Sequence, residues 1–259
     1  MDLPSEGNPA GGVASVDVAT TIVRALLSLG GSARLKDLEQ QTGIHAGTVH
    51  RYLVSLVRSG LVRREENSTR YAFGLLAYQI GLLAAHRNDA VTLAAPAVAE
   101  FCQHIGETCG IGVWLGTGAT IVRWFEANRP VSITLRPGTP LTLTRSSTGQ
   151  MFAAHLRRKT LEPLLRKELA QEDDVDAAVD KALRALAQVR ERGLSRAHGS
   201  HIPGISSLSA PVYGPDAQLA FVISAIGNSA TFDARLDGKV GEALKAFAAE
   251  MSRRMGAQG

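Results

Sequence analysis

A mixed α/β (α+β) fold of two domains is predicted, because two different patterns follow one another along the 259 residues. In the first part, apolar residues recur at helical spacing in three stretches, and two short strand-like runs follow them. In the remainder, helical stretches are interspersed with β-branched runs that hairpin turns connect, without strict β-α alternation. The second pattern predicts an antiparallel sheet flanked by helices.

These patterns predict four segments. Residues 1–15 are rich in Gly, Pro and Ser and are expected to form a disordered arm. We expect residues 16–74 to form the first domain, residues 75–89 an apolar linker helix, and residues 90–259 the second domain. A chain of this length can bury two proper cores.

A helix-turn-helix is predicted in the first domain, after an opening helix over about residues 16–29. A short helix from Leu35 to about Gln41 ends at a Gly-containing turn, and a second helix follows from about Ala46 to Ser59. One face of this second helix carries an apolar stripe at i, i+3, i+4, i+7 and i+8: Val49, Tyr52, Leu53, Leu56 and Val57. The opposite face is polar, which is typical of a helix that enters the major groove of DNA.

A β-hairpin wing is predicted directly after the second helix. Gly60 is suited to end that helix at its C′ position. Leu61–Arg64 and Arg70–Phe73 are then predicted as two strands around the turn-forming residues 65–69. The hairpin makes the first domain a predicted winged helix-turn-helix. Because both of its strands carry arginine, the domain is predicted to bind double-stranded DNA.

Seven polar or basic residues of this device are candidate DNA contacts: His45, Thr48, His50, Arg51, Arg63, Arg64 and Arg70. Arg51 can bind guanine O6 and N7 as a bidentate fork, or it can grip a phosphate. The phosphate role is favoured, since most protein–DNA hydrogen bonds go to the backbone. His45 is a DNA contact or an exposed turn residue, and the wing arginines are DNA contacts or solvated surface charges.

The charge distribution agrees with this interpretation. The whole chain has a formal net charge of +4. Residues 16–88 contain nine Lys and Arg against five Asp and Glu, whereas residues 89–259 contain nineteen against seventeen. The positive excess is therefore densest in the predicted DNA-binding domain, as attraction to phosphate requires.

The second domain is predicted to begin with a helix over about residues 90–105. Its strands are expected at Cys109–Leu115, Ala119–Glu126, Val131–Arg136, Ile205–Tyr213 and Leu219–Ile226. Further helices are expected from Gly149 through Leu156 toward Leu169, over Val175–Arg192 and over Arg235–Met255.

With these elements placed, the chain resembles the IclR family of bacterial transcription regulators from about Val16 to Arg254. Three stretches carry the resemblance: Thr48–Leu53 with Gly60–Val62 and Tyr71–Gly74; Arg145–Gln150, which is similar to the family's Gly-Lys-Ala effector loop; and Gly193–Val212. The resemblance implies a winged helix-turn-helix joined by a linker helix to a GAF-like effector-binding domain. It also implies homodimers or homotetramers on palindromic operators and control by a small-molecule effector.

Six residues are candidate effector contacts: Ser146, Ser147, Thr148, Gly149, Ser207 and Ser224. The first four begin a predicted helix whose backbone N–H groups suit an anion, and an ordinary N-cap without a ligand is the less favoured alternative. Gln150 replaces the family's common Lys, Ser207 replaces a common Cys, and residues 197–200 lack its acidic side chains. A pocket of Ser, Thr, His and apolar groups suits an aromatic or phenylalkanoic acid. Trp114 and Trp124 are core residues or pocket-lining residues.

Enzymatic chemistry has no specific support in the sequence, which contains no P-loop, Rossmann glycine pattern or Gly-x-Ser-x-Gly elbow. Cys109 could be a nucleophile or a redox sensor, but a buried structural thiol fits its surroundings better. His198 and His201 could ligate a metal, but two ligands alone do not make a site. We therefore expect neither catalysis nor a cofactor nor a metal.

Two further expectations concern partners and location. A winged helix that binds a protein instead of DNA is the alternative function. The sequence has two cysteines, no signal peptide and no run of about 18 apolar residues. We therefore expect a cytoplasmic protein without a membrane span.

Overall fold

The computed structural model describes residues 12–66, 68–86, 89–116, 118–127, 140–215 and 217–257. The chain divides into two compact units, with the division after residue 88. The predicted strand Val131–Arg136 and residues 1–11 of the expected arm lie outside the described residues. Ala14 and Ser15 were expected in the arm but belong to the first helix, which begins where the Val16 amide bonds the Val13 carbonyl.

The first unit is a helical bundle with a small sheet. Its elements are α1 (Ala14–Ser28), β1 (Ser32–Arg34), α2 (Leu35–Thr42), α3 (Ala46–Arg58), β2 (Val62–Arg64), β3 (Arg70–Phe73) and α4 (Leu75–His86). Three helices enclose a core centred on Ile22, Leu38 and Leu53, all fully buried. Gly60, with φ 77°, follows α3 and redirects the chain into β2.

The sheet of the first unit has three strands in the order β1-β3-β2, all antiparallel. The sequence predicted β2 and β3 but not β1, which pairs Ser32 with Ala72 and Arg34 with Arg70. A three-residue Ser-Ala-Arg segment has little strand propensity, so β1 exists because β3 offers it a free edge.

The predicted apolar stripe of α3 is buried for most of its length. Val49, Leu53 and Leu56 are buried, and Tyr52 is half-buried. Val57 was expected to share this burial, but it is 37 % exposed. It lies in the last turn of α3, where the helix extends beyond the core.

The second unit contains five strands and five helices among the described residues. Its strands are β4 (Thr108–Trp114), β5 (Ala119–Phe125), β6 (Ser195–His198), β7 (Ile205–Tyr213) and β8 (Leu219–Asn228). Its helices are α5 (Asp89–Ile105), α6 (Ser147–His155), α7 (Arg158–Glu168), α8 (Val175–Arg192) and α9 (Lys239–Arg254). The strands form one antiparallel sheet in the order β5-β4-β8-β7-β6.

Helices cover both faces of this sheet, so the unit has two cores. On one face α5 and α9 pack against the sheet around Cys102, Ile111 and Leu244. On the other face α6, α7 and α8 enclose Met151, Leu165 and other apolar residues. The predicted fold class, an antiparallel sheet flanked by helices after a winged helix-turn-helix, is confirmed.

Three details of the second unit differ from the prediction. The helix expected from Gly149 to Leu169 is two helices, because Leu156 adopts an extended conformation with ψ 148° and ends α6. Strand β6 was not predicted, since its Ser-Arg-Ala-His sequence lacks β-branched residues. The last helix begins at Lys239 instead of Arg235, whose side chain bonds Asp233 in the preceding turn.

Candidate functional site

Hydrogen bonds fix the turn between α2 and α3. Gly43 has φ 69°, a left-handed conformation that glycine adopts without steric cost. A carboxylate oxygen of Glu39 accepts from the Ala46 amide at 2.9 Å, and Nδ1 of His45 accepts from the Gly47 amide at 3.2 Å. Because Nδ1 is the acceptor, a neutral His45 ring carries its proton on Nε2. The start of α3 is therefore capped from two directions.

The exposed face of α3 is a continuous stripe at positions i, i+3, i+4, i+7 and i+11. Its members are Gly47, His50, Arg51, Val54 and Arg58. The predicted contacts His50 and Arg51 thus lie together, whereas Thr48 is half-buried at the flank of the stripe. Val54 is 53 % exposed but was not a predicted contact, because its side chain is apolar. Its position three residues after Arg51 places it on the same helix face, and this spacing could have identified it from the sequence.

Three of the predicted DNA-contacting arginines are exposed. Arg51, Arg63 and Arg64 are exposed, and none of them enters an ion pair among the residues that the structure describes. Arg63 and Arg64 are neighbours on β2, so their side chains point to opposite faces of the wing sheet. A single phosphate backbone beside the wing can therefore meet only one of the two directly.

Arg70 has a different environment from the other predicted DNA contacts. Its Nε donates to Oγ of Ser32 at 2.9 Å, and its Nη2 donates to the Ser32 carbonyl oxygen at 2.7 Å. The Ser32 hydroxyl in turn donates to Glu65 at 2.9 Å. Arg70 is therefore half-buried and joins β3 to β1 within the wing.

In the second unit, the N-terminus of α6 is capped by Ser146. The Ser146 hydroxyl accepts from the Gly149 amide at 3.0 Å and donates to the Thr142 carbonyl oxygen at 2.7 Å. The Gly149 amide, expected to serve an anion, is thus occupied by the cap. A Cβ at Gly149 would overlap the Thr142 carbonyl oxygen, so this position requires glycine for packing. The amides of Ser147 and Thr148 have no acceptor among the described residues.

Buried hydroxyl groups connect α6 to the sheet beneath it. Oγ of Ser147 lies 2.7 Å from Oγ of Ser207 and 2.8 Å from Oγ of Ser209. Oγ of Ser224 lies 2.7 Å from Oγ of Ser209 and 2.7 Å from Oγ1 of Thr148. We call these five residues the hydroxyl network. Each hydroxyl in it has a partner, which is the condition for burying polar groups at low cost.

The network separates the predicted effector residues into two groups. Ser147, Thr148 and Ser207 line a cleft above the sheet. Ser224 was expected beside them, but it is fully buried behind Thr148 and does not line the cleft. The register explains the difference, because Ser224 pairs with Ser209 while Ser207 pairs with Ile226, nearer the cleft.

The cleft at the N-terminus of α6 has a volume of about 410 Å³, counting its open mouth. Its polar lining residues are Ser146, Ser147, Thr148, His201 and Ser207. Its apolar and aromatic lining residues include Ile121, Trp124, Leu141, Ile202, Ile205 and Ile226. Apolar and aromatic side chains with a few convergent polar groups are the typical lining of sites for small organic molecules.

Three contacts hold the loop that leads into α6. The Glu168 carboxylate, at the end of α7, accepts from the amides of Leu143 at 2.6 Å and Thr144 at 2.9 Å. Arg145 and Ser200 bond each other reciprocally, each side chain donating to the other's carbonyl oxygen at 2.8 Å. The loop is thus clamped to α7 and to the segment after β6. Glu168 was not a candidate, since no local pattern marks a contact across 25 residues.

The two histidines after β6 bond to different partners. Nδ1 of His201 lies 3.1 Å from Oγ1 of Thr142, and Nδ1 of His198 lies 2.7 Å from Oγ of Ser206. Burial, and then the nearby Arg145 charge, lower the pKa of His201, which favours its neutral ring. The described residues contain no group of three His, Cys, Asp or Glu side chains that could hold a metal ion.

Both cysteines are buried in the core between α5 and the sheet. The Cys102 thiol donates to the Phe125 carbonyl oxygen at 3.1 Å, and the Cys109 thiol donates to the Glu107 carbonyl oxygen at 3.6 Å. Each side chain is 0 % exposed. A nucleophilic thiol needs access to its substrate, so the structure agrees with the buried structural thiol.

The two tryptophans have separate roles. Trp114 packs against Phe152 of α6, with ring centroids 6.0 Å apart, and belongs to the core. Trp124 is 38 % exposed and lines the cleft. Of the two alternatives from the sequence, core packing thus applies to Trp114 and pocket lining applies to Trp124.

Comparison with known proteins agrees with this architecture. Residues 15–66 match the IclR helix-turn-helix domain, and residues 82–253 match the family described as bacterial transcriptional regulator IclR C-terminal. The HTH-type transcriptional regulator BhcR of Paracoccus denitrificans is 27% identical over 94% of this chain and 88% of its own. None of the helices in the described part of the chain has the length and apolar character that a bilayer crossing requires.

Two solved structures are similar over nearly the whole chain. HmgR of Pseudomonas aeruginosa is 35% identical, with a TM-score of 0.60, covering 95% of this chain and 100% of that one. An IclR homologue of Microbacterium hydrocarbonoxydans, solved in complex with 4-hydroxybenzoate, is 16% identical and shares the fold with a TM-score of 0.69 over 93% of this chain and 98% of that one.

The family consists of regulators and not of enzymes, which confirms the non-enzymatic prediction. The chain belongs to the IclR family of bacterial transcriptional regulators and is a ligand-responsive, DNA-binding regulator.

Proposed function

We propose that the chain is a cytoplasmic, homo-oligomeric regulator that binds a two-fold symmetric operator and responds to an aromatic carboxylate in the cleft beside α6. The observation that carries this proposal is the composition of the cleft. Its lining combines the start of α6, where the amides of Ser147 and Thr148 have no acceptor among the described residues, with Trp124 and isoleucines.

For DNA, the proposal assigns the major groove to the exposed stripe of α3. His50 and Arg51 reach base edges or phosphates, and Thr48 at the flank meets the backbone. His45 offers Nε2–H to a phosphate, because its Nδ1 is occupied by the Gly47 amide. In the wing, Arg63 or Arg64 contacts the backbone.

Arg70 supports the wing in this proposal instead of contacting DNA. Two of its donors are already satisfied by Ser32. A guanidinium held in this way keeps β1, β3 and the turn at Glu65 together, so it sets the position of Arg64.

Self-association is supported by the apolar surface of α4. Leu75, Tyr78, Ile80 and Leu83 are each more than half exposed in a single chain. A helix that is apolar on all sides is normally buried, and a second copy is the proposed cover. Paired copies present two recognition helices, as a palindromic operator requires. Tyr78→Glu with Leu83→Glu is expected to shift the protein to smaller species in sedimentation velocity.

The carboxylate of the effector is assigned to the start of α6. The amides of Ser147 and Thr148, which have no acceptor in the described part of the chain, and the positive end of the helix dipole favour an anion there. Ser207 adds a hydroxyl on the floor of the cleft. Ser146, Gly149 and Ser224 act indirectly, the first two by forming the cap and Ser224 by supporting Thr148.

The aromatic ring of the effector is assigned to the apolar and aromatic residues that line the cleft. Trp124 and the isoleucines offer an aromatic ring a dry surface. The similar regulator of Microbacterium hydrocarbonoxydans was solved with 4-hydroxybenzoate, an acid of this kind. Control then follows from linkage: the effector changes DNA affinity by the ratio of its affinities for the DNA-free and DNA-bound protein.

The DNA part is tested by selecting bound duplexes from a random pool at physiological salt. A two-fold symmetric consensus is expected, and its affinity should fall steeply with salt because two copies neutralise several phosphates. Recovery of a single half-site without symmetry would contradict the palindromic operator. It would still agree with a sequence-specific regulator.

The effector part is tested by titrating the protein with benzoate, phenylacetate and 4-hydroxybenzoate while following tryptophan fluorescence. Trp124 lies in the cleft, so occupancy should change its emission. Trp124→Phe keeps the apolar surface and should abolish most of the signal, and cyclohexanecarboxylate controls for the aromatic ring. Binding of acetate as tightly as of the aromatic acids would contradict the assignment.

A further inference from the structure

We propose that His201 is the specificity-determining residue of the cleft and that it recognises a ring hydroxyl, so that the preferred effector is a hydroxylated aromatic acid. This inference rests on the proposed function, in which an aromatic carboxylate occupies the cleft. It names a group on the effector that the proposed function leaves open.

The first argument is the inventory of polar groups in the cleft. Ser147, Thr148 and Ser207 have their hydroxyls in the hydroxyl network, and Ser146 caps α6. Among the polar residues that line the cleft in the described part of the chain, His201 alone stands outside these bonds. It is also the one whose second polar atom, Nε2, has no partner among the described residues.

The second argument is that the ring is held in place. Nδ1 of His201 lies 3.1 Å from Oγ1 of Thr142. Thr142 begins the loop that Glu168 clamps through the amides of Leu143 and Thr144. The neighbouring contact between Arg145 and Ser200 fixes the same loop to the segment that carries His201. A side chain that bonds a fixed loop and leaves a fixed segment can discriminate between ligands, because a ligand cannot simply push it aside.

The third argument concerns which ligand group fits Nε2. The Thr142 hydroxyl can either donate to Nδ1 or accept from it, so Nε2 is a donor in one tautomer and an acceptor in the other. A hydroxyl group can donate and accept, and so it matches both tautomers. A carbonyl or ether oxygen matches only one, and an unsubstituted ring matches neither. Burial and Arg145 lower the pKa of His201, which keeps the ring neutral near pH 7.

The fourth argument is the cost of leaving Nε2 without a partner. Ile202 and Ile205 line the cleft with His201, so a bound aromatic ring displaces water from this region. An acid without a hydroxyl then leaves a desolvated ring nitrogen unpaired, whereas a suitably placed hydroxyl satisfies it. We expect a preference of about tenfold for the hydroxylated acid, which is typical of one such hydrogen bond.

The test measures the affinity of the full-length protein, by isothermal titration calorimetry, for benzoate and its three monohydroxy isomers, and for phenylacetate and its three isomers. At least one hydroxylated isomer should bind about tenfold more tightly than its parent acid. His201→Phe should reduce that preference to about twofold or less while it retains affinity for the parent acid. His201→Gln, whose amide can donate or accept, should restore part of the preference.

His198→Phe is the matched control, because His198 lies three residues earlier and bonds Ser206 instead of Thr142. It should leave the preference unchanged. Equal affinity of wild type for hydroxylated and parent acids would overturn the inference and leave the aromatic site intact. A preference that survives in both His201 variants would also overturn it. Failure of every aromatic acid to bind would overturn the proposed effector class, and the inference with it.

Discussion

A carboxylate oxygen of Glu39 on α2 lies 2.9 Å from the backbone nitrogen of Ala46, the first residue of α3. The first helix of the helix-turn-helix therefore supplies a capping acceptor for the second. Because this bond and the left-handed Gly43 act on the same turn, the angle at which α3 leaves α2 is fixed by both a side chain and the backbone.

Glu39→Ala is expected to destabilise the protein by about 1 kcal/mol, the usual cost of losing a helix cap. It should also weaken operator binding, since α3 loses its fixed orientation. Glu39→Gln keeps an acceptor oxygen and should lie close to wild type in both respects. Urea denaturation and fluorescence anisotropy on a labelled operator measure the two effects. Equal stability of Glu39→Ala and wild type would show that the bond contributes nothing.

Arg51→Ala is expected to weaken operator binding by about tenfold or more, because the side chain is exposed and has no ion-pair partner among the described residues. If Arg51 grips a phosphate, the slope of log affinity against log salt should fall by about one, with base preferences unchanged. If it reads guanine, one position of the consensus should relax. Arg24→Ala removes an exposed arginine from α1 and is the charge control. If Arg51→Ala bound the operator as tightly as wild type, the assignment of the exposed α3 stripe to the major groove would be contradicted.

Val54→Ser is expected to weaken discrimination at one base pair of the operator, because an exposed apolar side chain on the α3 stripe suits a thymine methyl group. The loss should be about 1 kcal/mol at that base pair. Val57→Ser is the matched control, since Val57 is also exposed but lies at the edge of the stripe, next to the buried face of α3. Affinities for operators with single substitutions measure the effect, and identical profiles for both variants would contradict it.

His155 makes stability sensitive to acid. Its Nδ1 lies 2.8 Å from the Met151 carbonyl oxygen and its Nε2 lies 2.8 Å from the Tyr213 hydroxyl. A carbonyl only accepts, so Nδ1 carries a proton, and in the neutral ring Nε2 accepts from Tyr213. Burial, with a contribution from Arg190, lowers the pKa of His155 below its ordinary value of 6.5.

The unfolded chain therefore binds a proton that the folded chain excludes. Stability should be complete above pH ~6.5 and should decline as the pH falls toward the lowered folded-state pKa of His155. His155→Gln should flatten this decline, and the exposed His104→Gln should not. Part of the decline should remain, because the pKa of His201 is lowered as well. Melting temperatures between pH 7.5 and 5 provide the measurement, and parallel curves for His155→Gln and wild type would contradict the assignment.

Elements with local start and stop signals could be predicted from the sequence. α8 begins after Asp174, whose carboxylate caps Ala177 at 3.0 Å, and it ends at Gly193, whose φ is 65°. Its predicted bounds agree with those observed. β1 and β6 could not be predicted in this way, because each is short and depends on pairing with a longer strand that comes later in the chain.

The candidate effector site was predictable in its residue types but not in its connections. The start of α6 was located from its small polar residues, yet the occupied Gly149 amide and the buried Ser224 depend on tertiary contacts. Glu168 and His201 bond to residues 25 and 59 positions away, respectively. Such distances carry no periodic signal, so only the folded chain reveals them.

The hydroxyl network has a single sense of donation. Ser209 donates to Ser147, so Ser224 must donate to Ser209, and Thr148 to Ser224, since each hydroxyl has one proton. Ser147 is 1% exposed and has Ser207 as the remaining acceptor for its hydroxyl among the described residues, so it donates to Ser207. Ser207, at the end of this chain of hydrogen bonds, keeps its own proton for the cleft. A carboxylate oxygen there therefore meets a donor whose bonds run back through α6 to the sheet.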